Sequence, residues 1–171
     1  MGASGWDYRV RFADSVEATL RRLQEQLLDN GDYLWPWEGG EGEPVPAMYA
    51  DYFEVEESED IPRPSSLAEL NTAKEVEEFW DEGTHTILDM DHIAAASDDG
   101  VGGIRPLIPE ELNQVFGSVR PSAADFDRVW RQDWWAGPLG DLLGERWTGR
   151  SLVIYEDDTP SEVYFWGFSG D

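Results

Sequence analysis

The sequence contains no cysteine, and this absence excludes several kinds of site. Without thiols there are no disulfides, thiolate metal sites or cysteine nucleophiles, so the fold depends on its core. Long apolar runs are also missing, because no segment approaches the roughly 18 residues of a membrane-spanning helix. The first residues lack the basic and apolar regions of a signal peptide. We therefore expect a cytoplasmic protein that is not attached to a membrane.

Basic residues are scarce as well. Lys and Arg number 12 against 37 Asp and Glu, which leaves a net charge of −25 at pH 7. Binding to nucleic acid or to anionic lipid needs cations on the protein, so this balance excludes both as direct partners. The chain is nevertheless no acidic tail, because 40% of its residues are apolar and nine are Trp. Its 171 residues suit one folded domain.

Periodicity and capping patterns predict an alternation of strands and helices. Period-two alternation predicts a strand at residues 6–12, and strand-like composition predicts further extended runs at residues 84–89, 151–156 and 162–168. Helical spacing and capping pairs predict four helices, over residues 15–29, from Ser66 to before Gly83, from Pro109 to Gly117, and from Ser122 onward. The turn-rich residues 157–160 indicate that the last two runs form an antiparallel hairpin.

This order of elements predicts a single α+β domain over residues 1–171, with a mainly antiparallel sheet and helices packed on one face. Residues 31–65 show no sustained period, and we interpret them as a long, acidic, aromatic-rich loop. A loop of this length is either functional or ordered by packing its aromatic side chains against the core. If the first and last strands pair, the terminal segments at Ser4 and Ser169 lie close together.

The negative charge is concentrated in the middle of the chain. Residues 38–99 hold 19 of the 37 acidic residues and only two basic ones, Arg63 and Lys74. One explanation is a solvated surface, or adaptation to high salt, where screening makes dense carboxylate tolerable. The other is an anionic face that meets a basic partner, since such a charge accelerates encounter with cationic proteins.

Aromatic residues inside or beside the first acidic run favour the second explanation, because Tyr and Trp dominate interface hot spots. Part of them equally fits an ordinary core. The sequence thus predicts a non-enzymatic protein of the immunity or antitoxin type, which inhibits a basic toxin or nucleic-acid-binding protein. The predicted interface comprises carboxylates for steering and rings for anchoring: Glu54, Glu56, Glu57, Glu59, Asp60, Trp35, Trp37, Tyr49 and Tyr52.

Two alternative functions remain: an acid-rich housekeeping protein adapted to high salt, and a small metal-dependent hydrolase. If residues 84–90 are extended, His85 and Asp89 point to the same side and His92 follows shortly after. The opposing interpretation is that His85 and Thr86 form local hydrogen bonds. No nucleophile elbow, Walker A loop or dinucleotide-binding glycine pattern occurs in the sequence, and we expect no cofactor.

Three short segments carry a family resemblance. They are Gly2-Ala3-Ser4-Gly5-Trp6-Asp7-Tyr8, Gly83-Thr84-His85-Thr86-Ile87-Leu88-Asp89 and Phe165-Trp166-Gly167-Phe168-Ser169-Gly170-Asp171. In these segments the chain resembles a family of acidic proteins from high-GC actinobacteria for which no activity is established. The resemblance implies a cytoplasmic bacterial setting and no mechanism.

Overall fold

A computed structural model describes residues 4–37, 61–132 and 136–170. The strands in these residues are β1 (Gly5–Arg11), β2 (His92–Ile93), β3 (Gly103–Pro106), β4 (Thr148–Glu156) and β5 (Thr159–Phe168). The helices are α1 (Val16–Asn30), α2 (Leu67–Ala73), α3 (Phe79–Glu82), α4 (Pro109–Phe116) and α5 (Ala123–Trp130). Short 3-10 turns lie at Ile87–Asp89 and Gly140–Leu142.

The strands form one mixed sheet in the order β1-β5-β4-β3-β2. Strands β1 and β4 flank β5 and both run antiparallel to it, whereas β3 and β2 continue the sheet in parallel. The hairpin between β4 and β5 turns at Asp157 and Asp158, whose φ angles of 46° and 61° are left-handed. Two such central residues define the turn whose twist matches the flanking strands. The predicted α+β class and the C-terminal hairpin are confirmed.

Helices cover both faces of the sheet, so the prediction of helices on one face is wrong. Alternate residues of β5 belong to different cores: Val163 and Phe165 pack in one, Tyr164 and Trp166 in the other. Because successive strand residues point to opposite sides, these cores lie on opposite faces. The first three helices cover what we call the α1 face, and the other two cover the α4 face.

Helix α1 forms as its sequence pattern predicts. Ser15 caps the helix, accepting a hydrogen bond from Ala18 N at 3.0 Å. At its end Gly31 adopts a φ of 70°, which glycine reaches without strain. Leu20, Leu23 and the later leucines of the same stripe lie in the α1-face core.

Strands β1, β5 and β4 are bound together by a tryptophan that fits over two glycines. Trp6 of β1 is buried, and its ring lies above Gly149 of β4 and Gly167 of β5. A Cβ atom added at Gly167 would lie 2.5 Å from the Trp6 ring. Only glycine therefore permits the indole to span three strands.

Two predicted elements differ from the structure. The helix expected from Ser66 to before Gly83 is two helices, α2 and α3, separated by turns. The extended run expected at residues 84–89 is a loop followed by a 3-10 turn. No helix among the described residues has both the length and the apolar character to cross a membrane.

Candidate functional site

An acidic ridge follows α2 along the chain. Its five carboxylates lie within residues 75–82 and are all exposed: Glu75, Glu77, Glu78, Asp81 and Glu82. The segment folds this way because Phe79 is fully buried in the α1-face core and fixes α3, which leaves the neighbouring polar side chains in solvent. None of these five carboxylates takes part in an ion pair within the described parts of the chain. The ridge is therefore an uncompensated anionic surface.

Lys74 immediately precedes the ridge but does not neutralise it. Its side chain is buried, and Nζ donates to Met90 O at 3.1 Å and to Asp91 Oδ1 at 2.7 Å. Burial lowers the pKa of Lys74, and the carboxylate of Asp91 opposes this effect. The cation nearest to the ridge in sequence is thus already paired inside the protein.

Half-buried indoles accompany the ridge. Trp80 lies within α3, and its ring packs edge-on against Trp147 with centroids 5.1 Å apart. Phe79 joins Trp80 to Trp37 through ring contacts on either side. We call Trp37, Trp80 and Trp147 the indole patch. It combines partial exposure with rigid support, which is typical of residues that anchor interfaces.

The predicted interface residues fall into three groups. Trp35 is only 3% exposed and donates from Nε1 to Ile61 O at 2.7 Å, so it is a core residue and its proposed role as an anchor is wrong. Trp37 is half-buried and belongs to the indole patch. The other predicted interface residues lie outside the described part of the chain: Tyr49, Tyr52, Glu54, Glu56, Glu57, Glu59 and Asp60.

The loop after α3 is organised by a buried carboxylate. Asp89 is fully buried, and its Oδ1 accepts hydrogen bonds from Thr84 N at 2.7 Å and Thr84 Oγ1 at 2.8 Å. Its Oδ2 is buried without a well-formed hydrogen bond, although the hydroxyl of Ser169 is placed to favour the ionised form. Burial nevertheless raises the pKa of Asp89. These bonds close a turn, and for this reason the predicted strand does not form.

His85 lies in this loop with a left-handed φ of 58°, a strained backbone conformation for histidine. Its Nδ1 is 2.9 Å from Ser4 Oγ, and Ser4 O accepts a hydrogen bond from Ser169 N at 2.9 Å. The two terminal segments therefore lie together, as the pairing of the first and last strands predicts. The junction thus brings together Ser4, His85 and Ser169, which are distant in sequence.

The predicted metal ligands do not assemble. His85, Asp89 and His92 are all described, yet no three of the described His, Asp and Glu side chains form a group that could hold a metal ion. His85 bonds to Ser4 and Asp89 bonds to Thr84, while His92 is exposed in β2. The hydrolase centred on these residues therefore lacks its ligand set.

On the α4 face, unlike on the ridge, buried arginines pair with carboxylates. Arg105 and Arg150 are partners on neighbouring strands and both are buried. Asp99 bridges them, at 3.2 Å from Arg105 Nε and 2.8 Å from Arg150 Nη1, and Glu111 accepts from Arg105 Nη2 at 2.8 Å. This contact lowers the pKa of Glu111. Asp99 and Glu111 thus both have guanidinium partners.

Sequence reasoning missed Trp80 and Trp147 as surface residues and the ridge as a separate unit. The signal for the ridge was present, because acids surround the aromatic pair at residues 79 and 80. Burial of Lys74 had no sequence signal. Comparison with protein-family models, curated proteins and solved structures found no match.

Proposed function

We propose that this chain is a non-enzymatic binding protein of the immunity or antitoxin type, which inhibits a basic partner that acts on nucleic acid. The observation that carries this proposal is the acidic ridge: five exposed carboxylates, none of them in an ion pair within the described residues, next to half-buried indoles. The proposed setting is the bacterial cytoplasm.

The ridge supports this proposal through its effect on encounter. The five carboxylates come from eight consecutive residues, so we treat them as one patch on the scale of the Debye length, ~8 Å at physiological salt. A patch of one sign raises the rate of association with an oppositely charged protein by roughly 10- to 1,000-fold. The expected partner therefore carries a cationic surface of comparable size.

The indole patch supports the proposal through the lifetime of the complex. Steering alone gives fast association but little lifetime, whereas buried Trp side chains account for much of the energy of protein interfaces. Trp80 is held by a hydrogen bond from Nε1 to Lys74 O at 2.8 Å, so little conformational entropy is lost when a partner covers it. Charge and anchor thus occupy adjacent positions.

Inhibition follows from the chemistry of the partner. A protein that binds nucleic acid presents Lys and Arg side chains to phosphates. A dense carboxylate surface competes for the same side chains. The chain itself then needs no catalytic group, and the Ser4–His85 contact is interpreted as a structural junction between its termini.

The test is affinity capture at low salt with three matched baits. These are the unaltered protein, a ridge variant (Glu75→Gln, Glu77→Gln, Glu78→Gln) and a control variant (Glu110→Gln, Asp141→Asn, Glu145→Gln), whose three changes lie at exposed positions elsewhere. We expect a basic protein to be retained by the unaltered and control baits, and to lose its activity on nucleic acid in their presence. Equal retention by all three baits, or retention without inhibition, would contradict the proposal.

A further inference from the structure

A small pocket lies on the α4 face, between strands β1 and β5 and helix α5. Its volume is about 240 Å³. Three aromatic and three charged side chains line it: Phe126, Trp130, Tyr164, Asp7, Arg9 and Asp127. Pockets for drug-sized molecules span roughly 300–1,000 Å³, so this one suits a single functional group.

The aromatic wall is rigid on one side and open on the other. Phe126 and Tyr164 are buried and meet edge to face with centroids 4.7 Å apart. Trp130, at the end of α5, is 44% exposed. A guest can therefore reach an indole face from solvent while the opposite rings remain fixed.

A hydrogen bond crosses the pocket wall. The Tyr164 hydroxyl donates to Asp7 Oδ2 at 3.1 Å. This bond fixes the carboxylate of Asp7 relative to the buried ring of Tyr164. Partial burial removes water from the Asp7 carboxylate and so raises its pKa.

Asp7 differs from the neighbouring Asp127 and Glu162 because it pairs with no Lys or Arg side chain of the described residues. Arg9 pairs with Asp127 at 2.7 Å and with Glu162 at 2.6 Å. Asp7 forms no ion pair with any of the residues that the structure describes. The pocket thus contains one accessible carboxylate whose charge is unbalanced.

The pocket already holds one cationic side chain of this protein, that of Arg9. The guanidinium of Arg9 lies 5.0 Å from the centre of the Phe126 ring. Aromatic faces attract cations through their quadrupole, and tryptophan does so most strongly. The Trp130 face and the Asp7 carboxylate offer a second cation the same two partners, a ring and an acid.

We propose that this pocket binds the head group of an organic cation, an ammonium or guanidinium on a flexible alkyl chain. The group is a free amine or the side chain of a Lys or Arg of another protein. This inference rests on β1, β5 and α5 and not on the acidic ridge, which lies on the other face of the sheet. Failure of one proposal therefore leaves the other standing.

The test is an NMR titration followed through the indole N–H signal of Trp130, which is assigned from its loss in Trp130→Phe. Probes are n-butylammonium for the free amine, and N-acetyl-lysinamide and N-acetyl-argininamide for the protein side chains. Pentanol and pentanoate are neutral and anionic controls. We expect saturable shifts with the cations alone, and the strongest of the three probes identifies the source.

Two variants measure separately what the Asp7 charge and the Trp130 ring contribute to cation binding. Asp7→Asn should weaken cation binding about three- to five-fold, because it removes a partly exposed ion pair. The matched control Asp29→Asn, at an exposed position on α1, should leave the affinity unchanged. Trp130→Phe, followed through other shifting signals, should weaken binding about two- to five-fold through the poorer cation–ring attraction.

Three outcomes would overturn the proposal. They are the absence of saturable shifts with all three cations, equal binding of pentanol, and unchanged affinity in both Asp7→Asn and Trp130→Phe. Backbone amide spectra of the variants show whether each one is folded. Because Asp7 and Trp130 are both accessible to solvent, either variant alone provides a valid reading if the other fails to fold.

Discussion

The acidic ridge and the arginines of the α4 face differ in how their charge is balanced. On the α4 face Arg9, Arg105 and Arg150 each contact at least one carboxylate at 3.2 Å or less. On the α1 face the five carboxylates of the acidic ridge have no such partners among the described residues. Composition alone would distribute the few cations evenly. The anionic surface therefore results from where the arginines lie as much as from how many acids there are.

The largest expected effect is a loss of folding stability when the residue that holds the ridge in place is truncated. Phe79→Ala removes a fully buried ring that contacts Trp35, Trp37 and Trp80, so it should lower the free energy of unfolding by about 4 kcal/mol. Urea denaturation measures this change. Val101→Ala, at a side chain 64% exposed, is the control and should cost less than about 0.5 kcal/mol. A similar cost for both variants would show that Phe79 does not anchor the ridge.

The ion pairs of the α4 face are tested next by removing one of its buried arginines. Arg150→Met removes the ion pair with Asp99 and the hydrogen bond from Nε to Leu142 O, and we expect a loss of about 3 kcal/mol in urea denaturation. Arg120→Met breaks an exposed pair with Asp158 and should cost less than about 0.5 kcal/mol. If the two variants lose the same free energy, burial does not distinguish the ion pairs on this face.

Much of the fold could be predicted because its local signals are strong. The caps at Ser66 and Ser122, the helix start at Pro109 and the helix end at Gly117 appear where the sequence indicates them. The parallel edge of the sheet could not be predicted in this way. Strand β2 has two residues and β3 has four, which is too short for a period to show.

The candidate site was harder to predict, for a physical reason. Burial of Trp35 and Lys74 depends on contacts with residues distant in sequence, such as Ile61 and Met90. Likewise, the loop at Thr84 is bent by a carboxylate five residues later, an effect that β-propensity does not include. Composition thus located the negative charge but could not show which side chains remain exposed.

Asp89 offers a smaller, pH-dependent test of the α1 face. A folded pKa above the unfolded value means that Asp89 favours folding most when protonated, at pH below its unfolded pKa. This contribution is lost as pH rises through the folded pKa. Asp89→Asn mimics the protonated acid and should therefore be more stable than the unaltered protein at neutral pH, by about 1 kcal/mol.

Thermal unfolding across the acidic and neutral range measures this difference. The advantage of Asp89→Asn should shrink as the pH falls, since the unaltered carboxyl then takes up its proton. Asp141→Asn, at an exposed position, provides the control for loss of one charge. A difference that is constant with pH would contradict the assigned direction of the Asp89 pKa.

The smallest expected effect concerns self-repulsion within the ridge. Neutralising Glu75, Glu77 and Glu78 as glutamines should stabilise the fold by less than about 1 kcal/mol at low salt, and the gain should vanish at high salt. Thermal unfolding at both salt concentrations measures it. If the chain is instead adapted to a salty cytoplasm, the unaltered and the ridge-neutralised proteins should both gain stability steeply with salt.

The most direct test of the central claim is the association rate constant with the captured basic partner, measured by stopped flow at low and high salt. The ridge variant should associate about ten-fold more slowly than the unaltered protein at low salt, and at nearly the same rate at high salt. The control variant with substitutions at Glu110, Asp141 and Glu145 should keep most of the original rate. Equal rates for the ridge and control variants at low salt would contradict the account, because total charge rather than the unpaired ridge would then govern binding.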